Sequence, residues 1–162
     1  MSPRRAVCLL GMILLLSLAA CGGDKSVSSD DPPVYTELQW VGTEVVYRDT
    51  PGKKDVSIVF VLADWCGWCR RLKQETLADT TVIRMLGSWY NIVNLNPDLD
   101  TMVVCGDSMV TCRQMARDVF DVGGVPTMVF LQRNGTMIGP MVGYRDAAQF
   151  AGELERLRDG VW

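Results

Sequence analysis

The sequence predicts an α/β domain: a central mixed β-sheet flanked by helices on both faces. Three observations carry that expectation. Residues 56–63, VSIVFVLA, form an unbroken apolar, β-branched run of strand length, which suits a strand buried on both faces. Strand-like and helix-like patterns then alternate along the chain. Late in the chain, Arg133-Asn134-Gly135-Thr136 carries the Asn-Gly signal of a tight hairpin, so the last two strands run antiparallel.

Each element has its own justification. Thr50-Pro51-Gly52-Lys53-Lys54 is a turn ahead of the first strand. Residues 66–78 read as a helix, with Leu72 and Leu77 facing inward and Arg70, Arg71, Lys73, Gln74 and Glu75 outward. Residues 82–89 add another turn or two of helix, and Tyr90–Leu95, YNIVNL, alternates as a second strand. Residues 111–120 form a helix with Thr111 as cap. Thr127–Gln132 is the third strand, and Met137–Val142 returns from the hairpin with Pro140 marking an edge. Residues 146–158 close the chain as a helix capped by Asp146, with Phe150, Leu154 and Leu157 on one face. Residues 35–47 are mixed and carry no assignment. Residues 96–110, NPDLDTMVVCGDSMV, read as an insertion between the second strand and the next helix.

Composition narrows the chemistry. The 162 residues suit one domain. The net charge of −3 leaves no electrostatic footprint for nucleic acid. There is no histidine, which removes Ser-His, Cys-His and His-metal sites together.

The N-terminus reads as an export signal. Arg4 and Arg5 precede an apolar run from Leu9 to Leu18, too short for a membrane-spanning helix of roughly 20 residues. Leu18-Ala19-Ala20-Cys21 resembles a bacterial lipobox, which implies cleavage before Cys21 and lipid on its thiol. The alternative is an ordinary signal with a chance cysteine. The expected organisation is a signal peptide over 1–20, a lipidated tether over 21–34 rich in Gly, Ser, Asp and Pro, and a globular domain over 35–162. The protein would be exported and held on a bacterial membrane, on the periplasmic side in a Gram-negative cell. Gly22 after Cys21 would suit the outer membrane. Cys66, Cys69, Cys105 and Cys112 then remain in a compartment where disulfides persist.

Trp65-Cys66-Gly67-Trp68-Cys69 stands where the buried strand ends and a helix begins. A two-residue spacer at a helix start brings both sulfurs within disulfide reach. The helix N-terminus favours a thiolate on the first sulfur, so Cys66 is the expected nucleophile and Cys69 the resolving thiol. A structural disulfide is one alternative. Half of a zinc site is another, and it would need Cys105 and Cys112 as well. Gly123-Gly124-Val125-Pro126-Thr127 immediately precedes a strand, where a cis Val125–Pro126 bond in a tight turn fits.

Together these motifs resemble the thioredoxin superfamily over about residues 56–158. The matching residues are Trp65-Cys66-Gly67-Trp68-Cys69, Gly124-Val125-Pro126-Thr127, Phe130-Leu131 with Asn134-Gly135, and Gly143 ahead of the last helix. The resemblance implies a thioredoxin fold and a membrane-anchored thiol–disulfide interchange protein. Pro126 would be a cis-proline packed on the cysteine pair, and the Val125 backbone would bind an extended substrate strand. Trp65, Gly67 and Trp68 would flank it. No cofactor is implied beyond the redox-active Cys66–Cys69 disulfide, and no metal. The sequence departs from thioredoxin at Phe60, where thioredoxin carries a buried Asp, so Asp64 or water would have to move the proton. The dipeptide Gly67-Trp68 has neither the Pro of thioredoxin nor the His of strong oxidants.

Cys105 and Cys112 form a second pair that thioredoxin lacks. With six residues between them, bridging looks easy, either as a structural staple or as a second redox pair. The expected activity is reduction of disulfides in exported proteins by a monomer that a membrane electron donor reloads. An oxidant or isomerase of the same fold, or a Cu(I) or haem-assembly carrier using the cysteine pair, are the alternatives.

Overall fold

The computed structural model describes residues 38–161. The signal, the tether and the Cys21 lipidation site lie outside the described residues.

Four strands form the main sheet in the order β2-β1-β5-β6: β1 (Val56–Val61), β2 (Tyr90–Leu95), β5 (Thr127–Gln132) and β6 (Met137–Val142). Between β2 and β5, β3 (Met102–Cys105) and β4 (Ser108–Thr111) pair as a separate two-stranded hairpin. Strand β1 runs parallel to β2 and antiparallel to β5, and β5 is antiparallel to β6. The sheet is mixed, as the sequence predicts. Every residue of β1 is buried, which is why its pattern is continuous rather than alternating. Pro140 lies on β6, the edge strand, where its missing N–H interrupts no inner ladder.

Two apolar clusters sandwich the sheet. On one face Ile58 and Phe60 meet α3 (Thr80–Trp89) and α5 (Ala147–Arg158) through Val82, Leu86, Phe150 and Leu154. On the other, Val59 and Val61 meet Val46 of α1 (Glu44–Tyr47) and Cys112, Met115 and Phe120 on and just beyond α4 (Cys112–Gln114). Asp146 caps α5 through the Gln149 N–H at 2.8 Å, and the Gln149 side chain answers in a capping box. Thr111 caps α4 in the same way.

The structure corrects four local expectations. The helix after Cys66 is regular only over α2 (Gly67–Arg71) and widens into a π-helical stretch over Leu72–Thr76, closed by the Leu77 N–H on the Leu72 carbonyl at 2.9 Å. The helix after Thr111 widens similarly over Met115–Val119. Helix α3 starts at Thr80 rather than at residue 82, because the Asp79 carboxylate accepts from the Thr81 and Val82 N–H groups. Residues 96–110 are also no plain insertion: Gly106 at φ 59 turns them into the β3–β4 hairpin.

Candidate functional site

Strand β1 delivers the chain to Ala63, and the helix starts four residues later at Gly67. Cys66 is the N-cap of α2, and its Sγ accepts the Cys69 N–H at 3.1 Å. One of the helix's unpaired N–H groups is thereby directed at sulfur. The Cys66 thiol in turn donates to the Val125 carbonyl at 3.5 Å. Val125–Pro126 is the cis peptide bond, and Pro126 is buried. The structure thus brings both motifs together at one sulfur, although they lie nearly 60 residues apart in the chain.

The two thiols differ in surroundings. Cys66 is 5% exposed and Cys69 is fully buried. Burial pushes the Cys69 thiol up to about 12, and its hydrogen bond with Cys66 adds to the shift. Behind the pair, Phe60 is wholly buried, edge-on to Trp40 at 5.5 Å and to Phe150 at 6.0 Å. An aromatic contact therefore fills the place where thioredoxin carries its acid. Asp64 lies at the surface, where it accepts from Asn96 Nδ2 at 3.2 Å.

Two exposed tryptophans flank the cysteines, Trp65 at 69% and Trp68 at 56%. Trp65 Nε1 donates to Asp98 Oδ2 at 2.6 Å, and Trp68 leans on Tyr144 with ring centroids 5.7 Å apart. Trp68, Val125, Pro126, Gly143 and Tyr144 line a hollow of about 320 Å³. Gly67 is exposed at the first turn of α2. The sequence reading missed Asp98 and Tyr144. Nothing local marks Asp98, while Tyr144 directly follows the Gly143 that the motif had flagged.

A larger hollow of about 420 Å³ lies near the opposite end of β1, around Lys53, Lys54, Trp89 and Arg158. Its lysines are engaged with backbone carbonyls: Lys53 with those of Val46 and Arg48, Lys54 with those of Gly87 and Tyr90. Among the described residues, no three potential ligands cluster to hold a metal.

Cys105 and Cys112 are not brought together, which corrects the expectation of easy bridging. Cys105 pairs with Ser108 at the turn end of the hairpin, whereas the Cys112 N–H donates to the Thr101 carbonyl at the open end. Four residues of ladder, about 13 Å at strand spacing, separate them. A disulfide needs Cα atoms within roughly 7 Å. Cys112 is buried in the core, which pushes its thiol up. Cys105 is half-buried and lies against the Tyr47 hydroxyl, whose burial, with Cys105 beside it, pushes that hydroxyl well up.

Comparison with known proteins adds to this geometry. The family described as a thioredoxin-like domain matches residues 45–158. A disulfide bond reductase from Chlamydia pneumoniae, DsbH, is 22% identical over 134 residues, covering 79% of this chain and 80% of its own. A thioredoxin-fold protein from Helicobacter pylori superposes with a TM-score of 0.62 at 20% identity, over 75% of this chain and 81% of that one. A thioredoxin from Thermus thermophilus does so with 0.58 at 22% identity, over 74% and 86%. At these identities the two structures show a shared fold.

Proposed function

The chain belongs to the thioredoxin-like domain family, and we propose that it is a thiol–disulfide oxidoreductase that reduces disulfides of exported proteins from a lipid anchor. The observation that carries this reading is the placement of Cys66. It caps a helix, accepts the Cys69 N–H, and faces the carbonyl that precedes the cis-proline.

In the reducing direction the Cys66 thiolate attacks one sulfur of the substrate disulfide. That S–S bond breaks, and the departing sulfur takes up a proton. Cys69, once deprotonated, attacks the Cys66 sulfur and frees the second substrate thiol. Two electrons pass to the substrate, and the enzyme is left with a Cys66–Cys69 disulfide. A dithiol donor at the membrane then returns it to the reduced state. The chemistry draws on no cofactor beyond the two thiols, and the protein acts as a monomer. The Val125 backbone and the faces of Trp65 and Trp68 receive an extended segment of substrate.

The reductive direction is supported by the name of the Chlamydia relative and by the absence of histidine as a thiolate-stabilising neighbour. Export and anchoring rest on residues 1–21, MSPRRAVCLLGMILLLSLAAC. Among the described residues, no helix is long and apolar enough to cross a membrane.

The test is the equilibrium reduction potential of Cys66–Cys69, with Cys105 and Cys112 replaced by Ser. A value near about −270 mV supports a reductase, whereas one above about −180 mV overturns the direction. Replacement of Cys66 by Ser must abolish turnover of a protein disulfide; persistence of turnover would overturn the activity itself. Loss of metabolic palmitate labelling in Cys21→Ser tests the anchor.

A further inference from the structure

The hollow beside Cys66 has one wall that its cysteine chemistry does not call for. Tyr144 follows β6, and the Gly143 N–H is bonded to the Pro126 carbonyl at 2.8 Å, so this wall is tied directly to the cis-proline. The Tyr144 ring meets Trp68 at a 39° tilt. The Arg71 guanidinium lies over both rings, 5.5 Å from the centroid of Trp68 and 4.9 Å from that of Tyr144. Glu75 closes the set: it accepts Arg71 Nε on both oxygens at 2.9 Å and the Tyr144 hydroxyl at 2.6 Å. Arg71 and Glu75 are one helical turn apart on the helix that Cys66 caps, so the wall is pinned to the same element as the reactive sulfur. The Thr76 hydroxyl adds a second tie, donating to the Arg145 carbonyl at 2.5 Å.

These bonds fix two large rings at the surface, where free side chains would otherwise sample several rotamers. Trp68 nevertheless stays 56% exposed. The floor of the hollow is Pro126 and Val125, and the Val125 carbonyl is the acceptor for the Cys66 thiol. A side chain lodged there would sit one residue from a substrate sulfur in reach of Cys66. At about 320 Å³ the space suits one large apolar or aromatic side chain.

We propose that Tyr144 and Trp68 determine substrate choice, admitting disulfides whose target cysteine has a large apolar residue as its neighbour. Arg71 and Glu75 act as positioning residues that hold the two rings. This rests on the oxidoreductase reading above. Energetically it is a hydrophobic pocket, which separates a large side chain from a small polar one by burial alone. The Glu75 carboxyl is held below its ordinary range, first by the Tyr144 hydroxyl and then by Arg71, so it stays ionised and the network stays intact at neutral pH.

The experiment uses the full chain in its reduced form and a peptide series. Each peptide carries one cysteine in disulfide linkage to the same small thiol and differs only in the preceding residue: Phe, Leu, Ser or Asp. In the wild type kcat/KM for the Phe and Leu peptides should exceed that for Ser by at least about tenfold. In Tyr144→Ala the advantage should shrink to within about threefold, mainly through KM. Glu75→Gln keeps both rings, so it separates loss of the wall from loss of its support. It should raise KM for the Phe peptide by no more than about fivefold, the scale of an exposed ion pair. Equal kcat/KM across the wild-type series overturns the proposal and leaves the oxidoreductase reading standing. So does a full preference retained by a folded Tyr144→Ala. Failure of the wild type to reduce any peptide overturns both.

Discussion

Trp65 Nε1 donates to Asp98 Oδ2 at 2.6 Å, which ties the residue before Cys66 to the loop that follows β2. The loop is itself braced. The Asp98 N–H returns to Asn96 Oδ1 at 3.0 Å, and Arg113 of α4 holds the Asp98 carbonyl at 2.8 Å and the Asp100 carboxylate at 3.1 Å. A ring that is 69% exposed is thus oriented by a chain of contacts running back to α4. Asp98→Ala should lower stability by no more than about 1 kcal/mol, the net worth of one exposed hydrogen bond. It should raise KM for a protein disulfide, because Trp65 loses its fixed orientation. Denaturant unfolding and steady-state kinetics on the same variant check both parts; an unchanged KM would show that the orientation of Trp65 does not matter.

The burial of Cys69 sets a pH dependence. Its thiol is pushed up to about 12, and among the described residues no carboxylate contributes to that shift. Release of a preformed mixed disulfide should therefore accelerate as pH rises from 7 towards 10, by up to about tenfold per unit, as the thiolate fraction grows. Stopped-flow measurement on mixed disulfide formed through Cys66 checks this. A flat profile would mean that another group takes the proton.

The same shift acts on stability. The folded state favours the neutral Cys69 thiol, whose folded value lies above the ordinary one. Its contribution is complete below about pH 9 and is lost as pH rises towards about 12. The reduced domain should melt at progressively lower temperature through that window. Cys69→Ala should flatten the dependence in part, leaving the similar loss expected from Tyr90, whose hydroxyl burial also pushes up to about 12.

Cys105 and Cys112 should remain two independent thiols. Their separation across the hairpin ladder forbids a bridge unless β3 and β4 come apart. Under mild oxidation, peptide mapping should find no Cys105–Cys112 linkage. Alkylation should reach half-buried Cys105 well before buried Cys112. A quantitative linkage with the domain still folded would contradict the hairpin register.

Phe60 bears on the core rather than on proton transfer. Phe60→Ala removes a wholly buried ring with two aromatic neighbours and should cost about 3–5 kcal/mol. Chemical denaturation measures it. A loss below about 1 kcal/mol would mean that the site collapses around the gap.

Much of this molecule is legible in its residues. The unbroken apolar run of β1, the Asn-Gly turn before β6 and the Asp146 cap of α5 each signal their element locally, and each forms as read. The spacing of Cys66 and Cys69 at the end of a buried strand marks a helix-start thiol pair, and the structure has Cys66 as the N-cap. The β3–β4 hairpin was within reach too, since Gly106-Asp107 is a turn signal between two apolar runs.

What sequence alone determined was therefore the set of local structures and the cysteine spacing, because both depend on neighbours a few residues away. The tertiary structure decided which residues meet. It set Val125 against Cys66, Asp98 against Trp65 and Tyr144 against Trp68, and it held Cys105 away from Cys112. Those relationships follow from strand order and register, which arise from burying both faces of one sheet at once, and no short stretch of sequence contains that information.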